Sequence, residues 1–396
     1  MNLFIVIILT ILLVIIGLAV IAAGFLFNQR ARKNIRLAVA ITDLVLLLIS
    51  FAAFYNRAII SDKTVDVIAT IVTVIFTSQL ICAAMVLMAV IIRFIFRRLN
   101  KPTPFDPERR RMLAYSLFYP IFSFVTAIYA NQVERNQTVD RFFDIKIKNL
   151  PTQLEGFIIA QISDIHLGAF YSLEKLENLL NRIVASNPDI LAITGDIFDS
   201  VSINDEAIRL VNSFCDKFKY GIWYCHGNHE HHRGIEHIEY ELRKTDIHVL
   251  VNQSERVNLP SERPFYFVGV DYPVGSPVTQ AKDTERQYKF NYAKREFLVT
   301  ALNEVPKDSI CILLAHHPEF IDDAAAFNIP LTLTGHTHGS QVGIFGVPLF
   351  PVFKYTRGMV RINDCYGYVH CGNGSWFPFR LGCPPEIAYF KLTNDL

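Results

Sequence analysis

Five short clusters of acidic, amide and imidazole side chains stand out in the second half of the sequence, each directly after a run of apolar residues. Such a mixture of ligand types suits borderline divalent metals such as manganese, iron or zinc, and it is not the all-thiolate pattern of a structural zinc site. One cluster alone is weak evidence, but five in this order predict a metal centre. The clusters are Ser163-Asp164-Ile165-His166, Gly195-Asp196-Ile197-Phe198-Asp199, Gly227-Asn228-His229-Glu230, Ala315-His316-His317-Pro318 and Gly335-His336-Thr337-His338-Gly339.

The number of candidate ligands favours two metal ions over one. Six or seven such side chains exceed the ligand set of a tetrahedral site, but they suit two ions about 3.5–4 Å apart that share a bridging carboxylate. Residues i and i+2 of an extended backbone point the same way. We therefore expect Asp164 and His166 to face one point, and His336 and His338 to do the same.

An alternating series of strands and helices is expected to position these clusters. Short apolar runs predict buried strands, and apolar residues at helical spacing predict amphipathic helices between them. The pattern favours an α/β domain with central sheets, in which functional side chains gather beyond the strand ends. The predicted strands are Gly156–Ser163, Asp189–Thr194, Gly221–Cys225, Phe265–Val270, Ser309–Ala315 and Ile329–Thr334, and the predicted helices are Leu173–Ala185, Asp205–Phe218, Ile235–Lys244 and Lys294–Leu302.

The motif series resembles that of the calcineurin-like metallophosphoesterase superfamily, which is DxH, GDxxD, GNH(D/E), H and GHxH. All five motifs occur here in that order, and the resemblance covers roughly Phe143–Phe390. The segments Gly339–Gln341 and Phe379–Ile387 are similar to a membrane-associated bacterial subgroup and to animal transmembrane metallophosphoesterase-domain proteins. The resemblance implies a metal-dependent phosphoric ester hydrolase whose fold is a β-sandwich flanked by helices (αββα). It says little about the substrate.

The resemblance also implies a set of metal ligands for two divalent ions, with manganese favoured and iron, zinc or magnesium as alternatives. Of the neighbouring pair His316 and His317, the first is the expected ligand, because the family pattern is an apolar strand, the ligand, one variable residue and Pro. The first metal would be bound by Asp164, His166 and His338. The second metal would be bound by Asn228, His316 and His336. Asp196 would bridge both metals.

Further roles are implied for the residues around the third motif. His229 would act as general acid towards the leaving group, or would stabilise charge in the transition state, and Asp199 would orient it by a hydrogen bond. Asn228, His231 and Arg233 are the candidate contacts to the substrate phosphate. For His231 and Arg233, a solvated loop is an equally good interpretation.

Two positions depart from the family pattern without removing a ligand. Ser340 stands where the subgroup often has a second glycine, and His226 stands where an apolar residue is commoner. The polar pair Asp271-Tyr272 follows a predicted strand and begins either a specificity loop or, as the more ordinary interpretation, a surface turn.

The composition separates two dissimilar parts of the chain. Of 396 residues, 51% are hydrophobic and 19% charged, against about 25% charged in soluble domains, which argues against a purely soluble protein and against disorder. Residues 1–140 hold 14 Lys or Arg against 7 Asp or Glu, whereas the remainder holds 24 against 30 and all 12 His.

Seven cysteines are too few for a disulfide-dense scaffold. One disulfide is expected if the second part is extracytoplasmic, among Cys365, Cys371 and Cys383.

The first part, residues 1–130, predicts a membrane anchor of about four spans. A bilayer core of about 30 Å needs about 20 apolar helical residues. A cleaved signal peptide is disfavoured for the first span, since that run is long and no basic side chain precedes it. Residues 131–142 are predicted to be a linker and residues 143–396 the phosphoesterase domain. The predicted spans are Leu3–Phe27, Ile35–Phe54, Val67–Ile92 and Met112–Ala130.

The loop charges predict an integral, multi-pass protein of the plasma or inner membrane. Lys and Arg concentrate in the first and third connections, which the positive-inside rule places in the cytoplasm. Four spans then put the catalytic domain outside the cytoplasm, and loss of the fourth would put it inside. Asp43 lies within the second span, where an acidic group is costly. We expect it to pair with a neighbour such as Thr42 or an Arg, the alternative being a functional role.

The leading hypothesis is a membrane-anchored, dimetal-dependent phosphoesterase that hydrolyses phosphodiester, phosphomonoester or pyrophosphate bonds, with lipid-linked molecules as candidate substrates. The alternatives are a UDP-diacylglucosamine-type lipid pyrophosphatase with a cytoplasmic site, a catalytically silent membrane scaffold, and a transporter regulated by a phosphoesterase domain, which only Asp43 supports. The expected partners are the lipid bilayer and the phosphoester substrate. Nucleic acid is not expected, because the basic run Arg109–Arg111 has no interleaved aromatic residues for base stacking.

Overall fold

The computed structural model describes residues 15–22, 29–55, 59–99, 118–273 and 284–394. Its internal contacts divide the chain into two units. The N-terminal unit ends at Val133 and takes in Phe377–Phe379, and the C-terminal unit comprises Glu134–Trp376 and Arg380–Leu396.

The N-terminal unit is helical throughout most of its described residues. Residues 15–22 are helical, and three longer helices follow, α1 (Gln29–Tyr55), α2 (Asp62–Leu99) and α3 (Phe118–Ile128), the last continuing into a π-helical turn. Two segments are long and apolar enough to cross a membrane, Lys33–Ala53 and Asp62–Phe96. At 1.5 Å per residue, their 21 and 35 residues match or exceed a hydrocarbon core of about 30 Å.

The described residues therefore provide two candidate spans where the sequence predicts four. The two segments contain most of the predicted second and third spans, Ile35–Phe54 and Val67–Ile92. The predicted first span, Leu3–Phe27, lies outside the described residues except for 15–22, and the predicted fourth, Met112–Ala130, lies outside them up to residue 117.

Asp43 has a different partner from the expected one. It is fully buried, and Gln79 of α2 donates a hydrogen bond from Nε2 to its Oδ1 over 2.8 Å. The expected pairing with a neighbouring side chain is confirmed, but the partner is Gln79 of the next helix. Thr42 is not the partner, because adjacent residues of a helix do not face each other. An interhelical hydrogen bond of this kind stabilises helix association in an apolar medium.

The described part of the C-terminal unit contains two six-stranded sheets and a small two-stranded one. The first sheet has the order β1-β14-β2-β3-β4-β5 and the second β12-β13-β9-β8-β7-β6. The strands are β1 (Val139–Ile147), β2 (Ile158–Ile162), β3 (Ile190–Thr194), β4 (Ile222–Cys225), β5 (His248–Val249), β6 (Gln253–Arg256), β7 (Phe265–Gly269), β8 (Ile310–Leu314), β9 (Leu331–Thr334), β10 (Gly343–Ile344), β11 (Val347–Pro348), β12 (Gly358–Ile362), β13 (Cys365–Val369) and β14 (Glu386–Asn394).

The two large sheets pack face to face, because their strands bury apolar side chains on both surfaces. Ile159 and Trp223 of the first sheet share one core with Phe267 and Ile312 of the second. Helices cover the two outer faces and form separate cores with them. This is the αββα arrangement that the resemblance implies. The helices of this unit are α4 (Leu173–Ala185), α5 (Asn204–Asn212), α6 (Asn228–His232), α7 (Ile235–Leu242), α8 (Thr284–Leu302) and α9 (Phe320–Ala326).

The predicted linker, residues 131–142, contains secondary structure. The C-terminal unit begins at Glu134, and residues 139–142 open strand β1, which runs parallel to β14 at the edge of the first sheet. The first residues of β1 are mostly exposed, so their polar composition resembles that of a linker. Local composition cannot show that a segment pairs with a strand at the other end of the chain.

Candidate metal centre

The parallel strands of both sheets deliver the five polar clusters to one region. Strands β2, β3 and β4 run parallel in the first sheet, and β8 and β9 run parallel in the second. The segment that follows each strand carries one of the clusters identified in the sequence. Because the carboxyl ends of parallel strands lie at the same sheet edge, residues distant in the sequence meet there.

The first group of ligand-type side chains is Asp164, His166 and His338, whose donor atoms all lie within 4.8 Å of one another. His338 Nε2 is 3.3 Å from Asp164 Oδ1, and the Nε2 atoms of His166 and His338 are 2.9 Å apart. All three residues are buried. They form the set that the resemblance implies for a first metal.

The second group is Asp196, His316 and His336, again with donor atoms within 4.8 Å of one another. His316 Nε2 is 3.2 Å from Asp196 Oδ2. Asn228 joins this group, since its Oδ1 lies 2.9 Å from His336 Nδ1. The structure thus brings together the three residues expected at the second metal, Asn228, His316 and His336, and it places Asp196, the expected bridging residue, beside them.

Asp196 lies between the two groups. Its Oδ2 is 3.2 Å from His316 Nε2 in one group and 3.7 Å from His166 Nε2 in the other. The Asp196 side chain is 2% exposed. It is therefore placed as a bridging carboxylate requires.

The chemistry of these side chains fits two divalent cations. Among the described residues, His338 Nδ1 is buried without a hydrogen-bond partner, which is uncommon for polar atoms in native proteins. Burial and, to a smaller extent, the charge of Asp196 raise the pKa of Asp164. Two buried carboxylates beside lone-pair donors need compensating positive charge, and mixed imidazole, carboxylate and amide donors suit borderline metals.

Burial also prepares two of the histidines to act as ligands. It lowers the pKa of His336 to about 3, and it lowers the pKa of His338 well below the usual range. Both rings are then neutral at physiological pH, and neutral imidazole is the form that binds metal.

Five of the ligand-type residues have a left-handed backbone. The φ angles are +52° at Asp164 and His166, +55° at Asp196, +74° at His336 and +49° at His338. The i, i+2 pairs are therefore not extended. Asp164 and His166 do face one point, as expected, but the expectation for His336 and His338 was wrong, since they lie in different groups. A non-glycine residue in this region costs roughly 1–3 kcal/mol, and such strain tends to cluster at functional sites.

Gly227 permits the close approach of the second and third motifs. A Cβ atom at this position would lie 2.1 Å from Asp196 Oδ1 and 2.6 Å from the Asp196 backbone nitrogen. No side chain fits in that space, so any other residue would displace the Asp196 carboxylate.

His229 lies beside the ligand groups and is held by a carboxylate. Its Nδ1 is 2.9 Å from Asp199 Oδ1, and its backbone N–H donates to Asp196 Oδ1 over 2.8 Å. Burial opposes protonation of the ring, but Asp199 and Asp196 outweigh it and raise the pKa of His229 to about 9. The protein itself thus favours a protonated imidazole at this position.

Residues 157–340 match the model of a family described as Calcineurin-like phosphoesterase. The C-terminal unit therefore contains a calcineurin-like phosphoesterase domain. Families of this type are metal-dependent phosphoric ester hydrolases, and the two groups of ligand-type residues lie within the matched range.

Three relatives illustrate the match. An uncharacterised metallophosphoesterase of Bacillus subtilis, YkuE, is 27% identical over 67% of this chain and 89% of its own length. A zebrafish transmembrane protein with metallophosphoesterase domain is 28% identical over 69% of this chain and 62% of its own. The Escherichia coli phosphodiesterase YaeI is 28% identical over 60% of this chain and 82% of its own. The chain therefore spans less than two thirds of the zebrafish relative.

The remaining candidate residues of the phosphoesterase domain are engaged with carboxylates or aromatic rings. Arg233 donates from Nε to Asp199 Oδ1 over 2.7 Å, and His231 Nε2 is 2.9 Å from Asp271 Oδ1. His317 is buried against aromatic rings, including Phe353. Of the neighbouring pair after β8, His316 is the one near the carboxylates.

The seven cysteines of the chain are free thiols in this structure. The disulfide expected for an extracytoplasmic domain is not formed. Cys371 and Cys383 are both buried and approach the same glycine, since a Cβ atom on Gly339 would lie 2.9 Å and 2.7 Å from their respective Sγ atoms.

Glu230 completes the third motif, but no role was predicted for it from the sequence. It is fully buried, and its carboxylate accepts four backbone N–H groups, at distances of 2.8–3.1 Å. These donors belong to Asp196, Ile197, Phe198 and Gly227. Glu230 thereby ties the second motif to the third. The acidic residue after the GNH sequence was the available signal.

We expect Glu230→Gln to destabilise the phosphoesterase domain by about 2–4 kcal/mol, because an NH₂ group would then face two backbone donors in a buried site. The melting temperature, measured in detergent by circular dichroism, should fall by roughly 5–10 °C. Glu236→Gln is the matched control, since Glu236 is exposed on the next helix. An unchanged melting temperature for Glu230→Gln would contradict the role assigned to this carboxylate.

Proposed function

We propose that this chain is a membrane-anchored phosphoesterase with two divalent metal ions. The observation that carries the proposal is the convergence of Asp164, His166, Asp196, Asn228, His316, His336 and His338, with the His229–Asp199 pair beside them. Manganese is the favoured ion, with iron, zinc or magnesium as alternatives.

The proposed mechanism follows from charge. When bound, the two ions would neutralise an anionic phosphate and lower the pKa of bound water towards about 7, which supplies hydroxide at neutral pH. Asp196 and the surrounding imidazoles would bind the two cations in a buried site, where the charge of the cations is weakly screened. His229, whose protonated form the protein favours, would donate its proton to the oxygen of the leaving group.

Asp199 has the position of an orienting carboxylate in this mechanism. It fixes the His229 ring through Nδ1 at 2.9 Å, which leaves Nε2 available to the substrate. Arg233 donates to the same oxygen, Asp199 Oδ1, and so would act through Asp199 unless substrate displaces it. The predicted phosphate contacts of Asn228 and Arg233 are retained as part of the proposal, whereas His231 is engaged with Asp271.

Hydrolysis by the purified, full-length protein tests the proposal. The panel should contain a phosphodiester, a phosphomonoester and a pyrophosphate, each with Mn²⁺, Zn²⁺ or Mg²⁺ and with a chelator as control. Metal-dependent cleavage of any one bond type would support the proposal and define its class. The name of the E. coli relative makes the diester the first choice. Two bound metal ions without hydrolysis of any member would favour the catalytically silent scaffold.

The proposed location is an integral membrane with four spans, which places the catalytic domain outside the cytoplasm. The two candidate spans and the zebrafish relative's name support membrane association, and an anchor on the same chain as the phosphoesterase domain favours lipid-linked phosphoesters. A compartment-sensitive reporter fused after Leu396 tests the side. A cytoplasmic signal would contradict the four-span topology and would make a lipid pyrophosphatase of the UDP-diacylglucosamine type the leading alternative.

We expect Asp199→Asn to move the alkaline limb of the kcat profile to lower pH. Asp199 raises the pKa of His229 against the effect of burial, so its removal lowers that pKa and the proton donor is lost earlier as pH rises. At neutral pH, kcat should fall by roughly 10²-fold. The pH–rate profile of the metal-loaded enzyme is the measurement.

Asp205→Asn is the matched control for this prediction. Asp205 pairs with His237 at 2.8 Å on the surface, so its loss should leave the pH–rate profile unchanged. A profile of Asp199→Asn with the wild-type alkaline limb would show that Asp199 does not set the protonation of His229.

A further inference from the structure

A further group of ligand-type side chains lies outside the two described above. It consists of His226, His231 and Asp271, whose donor atoms all lie within 4.8 Å of one another. His226 follows strand β4, His231 is on helix α6, and Asp271 follows strand β7. Three separate elements thus bring two imidazoles and one carboxylate to a single point.

Hydrogen bonding within the group accounts for only one of the two histidines. His231 Nε2 is 2.9 Å from Asp271 Oδ1, as in an ordinary His–Asp pair. His226 is 1% exposed and its Nδ1 is 3.5 Å from the same oxygen. Among the described residues, neither ring nitrogen of His226 has a hydrogen-bond partner. Its Nδ1 thus faces a carboxylate at the limit of hydrogen-bond distance and its Nε2 has no partner, so a ligand would satisfy this buried imidazole better than the group itself does.

The carboxylate of this group is held in place by its neighbours. The Asp271 backbone N–H donates to Asn252 Oδ1 over 2.9 Å, and the Tyr272 backbone N–H donates to Asp271 Oδ1 over 2.8 Å. The side chains of His231 and Asp271 are 15% and 17% exposed. The group is therefore preorganised, and it remains open to solvent at His231 and Asp271.

The donor set identifies the class of ligand. Two imidazole nitrogens and one carboxylate oxygen are the ligands of open zinc-type sites, which keep a further position for water or substrate. An anion is disfavoured, because Asp271 would repel it.

We propose that His226, His231 and Asp271 bind a third divalent cation of the zinc or manganese class. The site adjoins the two-metal centre, since the ring of Tyr272, next to Asp271, lies 5.5 Å from that of His336. A cation here would add positive charge beside the centre. The proposal concerns binding, and it does not depend on the phosphoesterase activity.

Metal stoichiometry tests the proposal. The full-length protein in detergent is stripped, loaded with Zn²⁺, desalted and analysed for metal per chain. We expect three ions for the wild type and two for His226→Leu, which places an apolar side chain at this buried position. Asp271→Asn provides a second variant if His226→Leu does not fold, and it should also lose one ion. His237→Leu is the matched control and should retain three, because His237 is an exposed histidine outside the group.

The outcomes separate this proposal from the two-metal centre. Two ions in the wild type would overturn it, as would loss of all metal from a folded His226→Leu protein, which would make the group a structural support of that centre. Asp196→Asn should keep the third ion while the centre is emptied. Because the measurement counts ions, an absence of hydrolysis would refute the proposed function without affecting this result.

Discussion

Asp196→Asn is expected to empty the two-metal centre and to abolish hydrolysis with it. Asp196 lies between the two ligand groups, 3.2 Å from His316 Nε2 and 3.7 Å from His166 Nε2. A carboxylate can bridge two cations because both oxygens carry negative charge, whereas an amide offers one neutral oxygen. We expect hydrolysis to fall by roughly 10³-fold or more, as when one member of a catalytic unit is removed.

The two readouts for this variant are metal content by elemental analysis and kcat at saturating Mn²⁺. Asp216→Asn is a matched control, because Asp216 is exposed in the same domain. Circular dichroism must show that the variant is folded. A folded Asp196→Asn protein with full metal occupancy would contradict the bridging role, even if its activity were low.

The composition of the metal centre was more predictable from the sequence than its geometry. The motif series named the residues that the structure brings together, because each ligand directly follows a strand and strand order determines which ends meet. The motif series did not predict the left-handed backbone at residues such as Asp164 and His338. That conformation depends on packing between loops from different strands, and only glycine positions indicate it in a sequence.

Contacts between distant segments account for most of what the sequence did not predict. The periodicity of apolar residues indicates which side of a helix or strand is buried, but it does not indicate which other element packs against that side. Strand β1 pairs with β14 from the other end of the domain, and Asp43 bonds to Gln79 of the next helix. By contrast, helix α4 has the predicted bounds, because its leucine spacing and the Ser172 cap are local signals.

His229→Ala is expected to retain the metal ions of the centre and to lower kcat by about 10²–10⁴-fold, the usual contribution of a general acid. His229 is no ligand in either group around Asp196. It lies beside them with its Nδ1 held by Asp199, and Asp199 and Asp196 overcome the effect of burial to raise its pKa to about 9. Steady-state kinetics and metal analysis of the same preparation measure the two effects.

The leaving group distinguishes a general acid from a group that only stabilises charge. If His229 donates a proton, its loss should cost least with an acidic phenol as leaving group and most with a simple alcohol, which needs protonation to depart. A loss that is equal for both would favour charge stabilisation in the transition state. His232→Ala controls for a change in helix α6, since His232 is exposed on that helix. Undiminished turnover of a metal-replete His229→Ala enzyme would exclude both roles, and the site would then rely on its metal ligands alone.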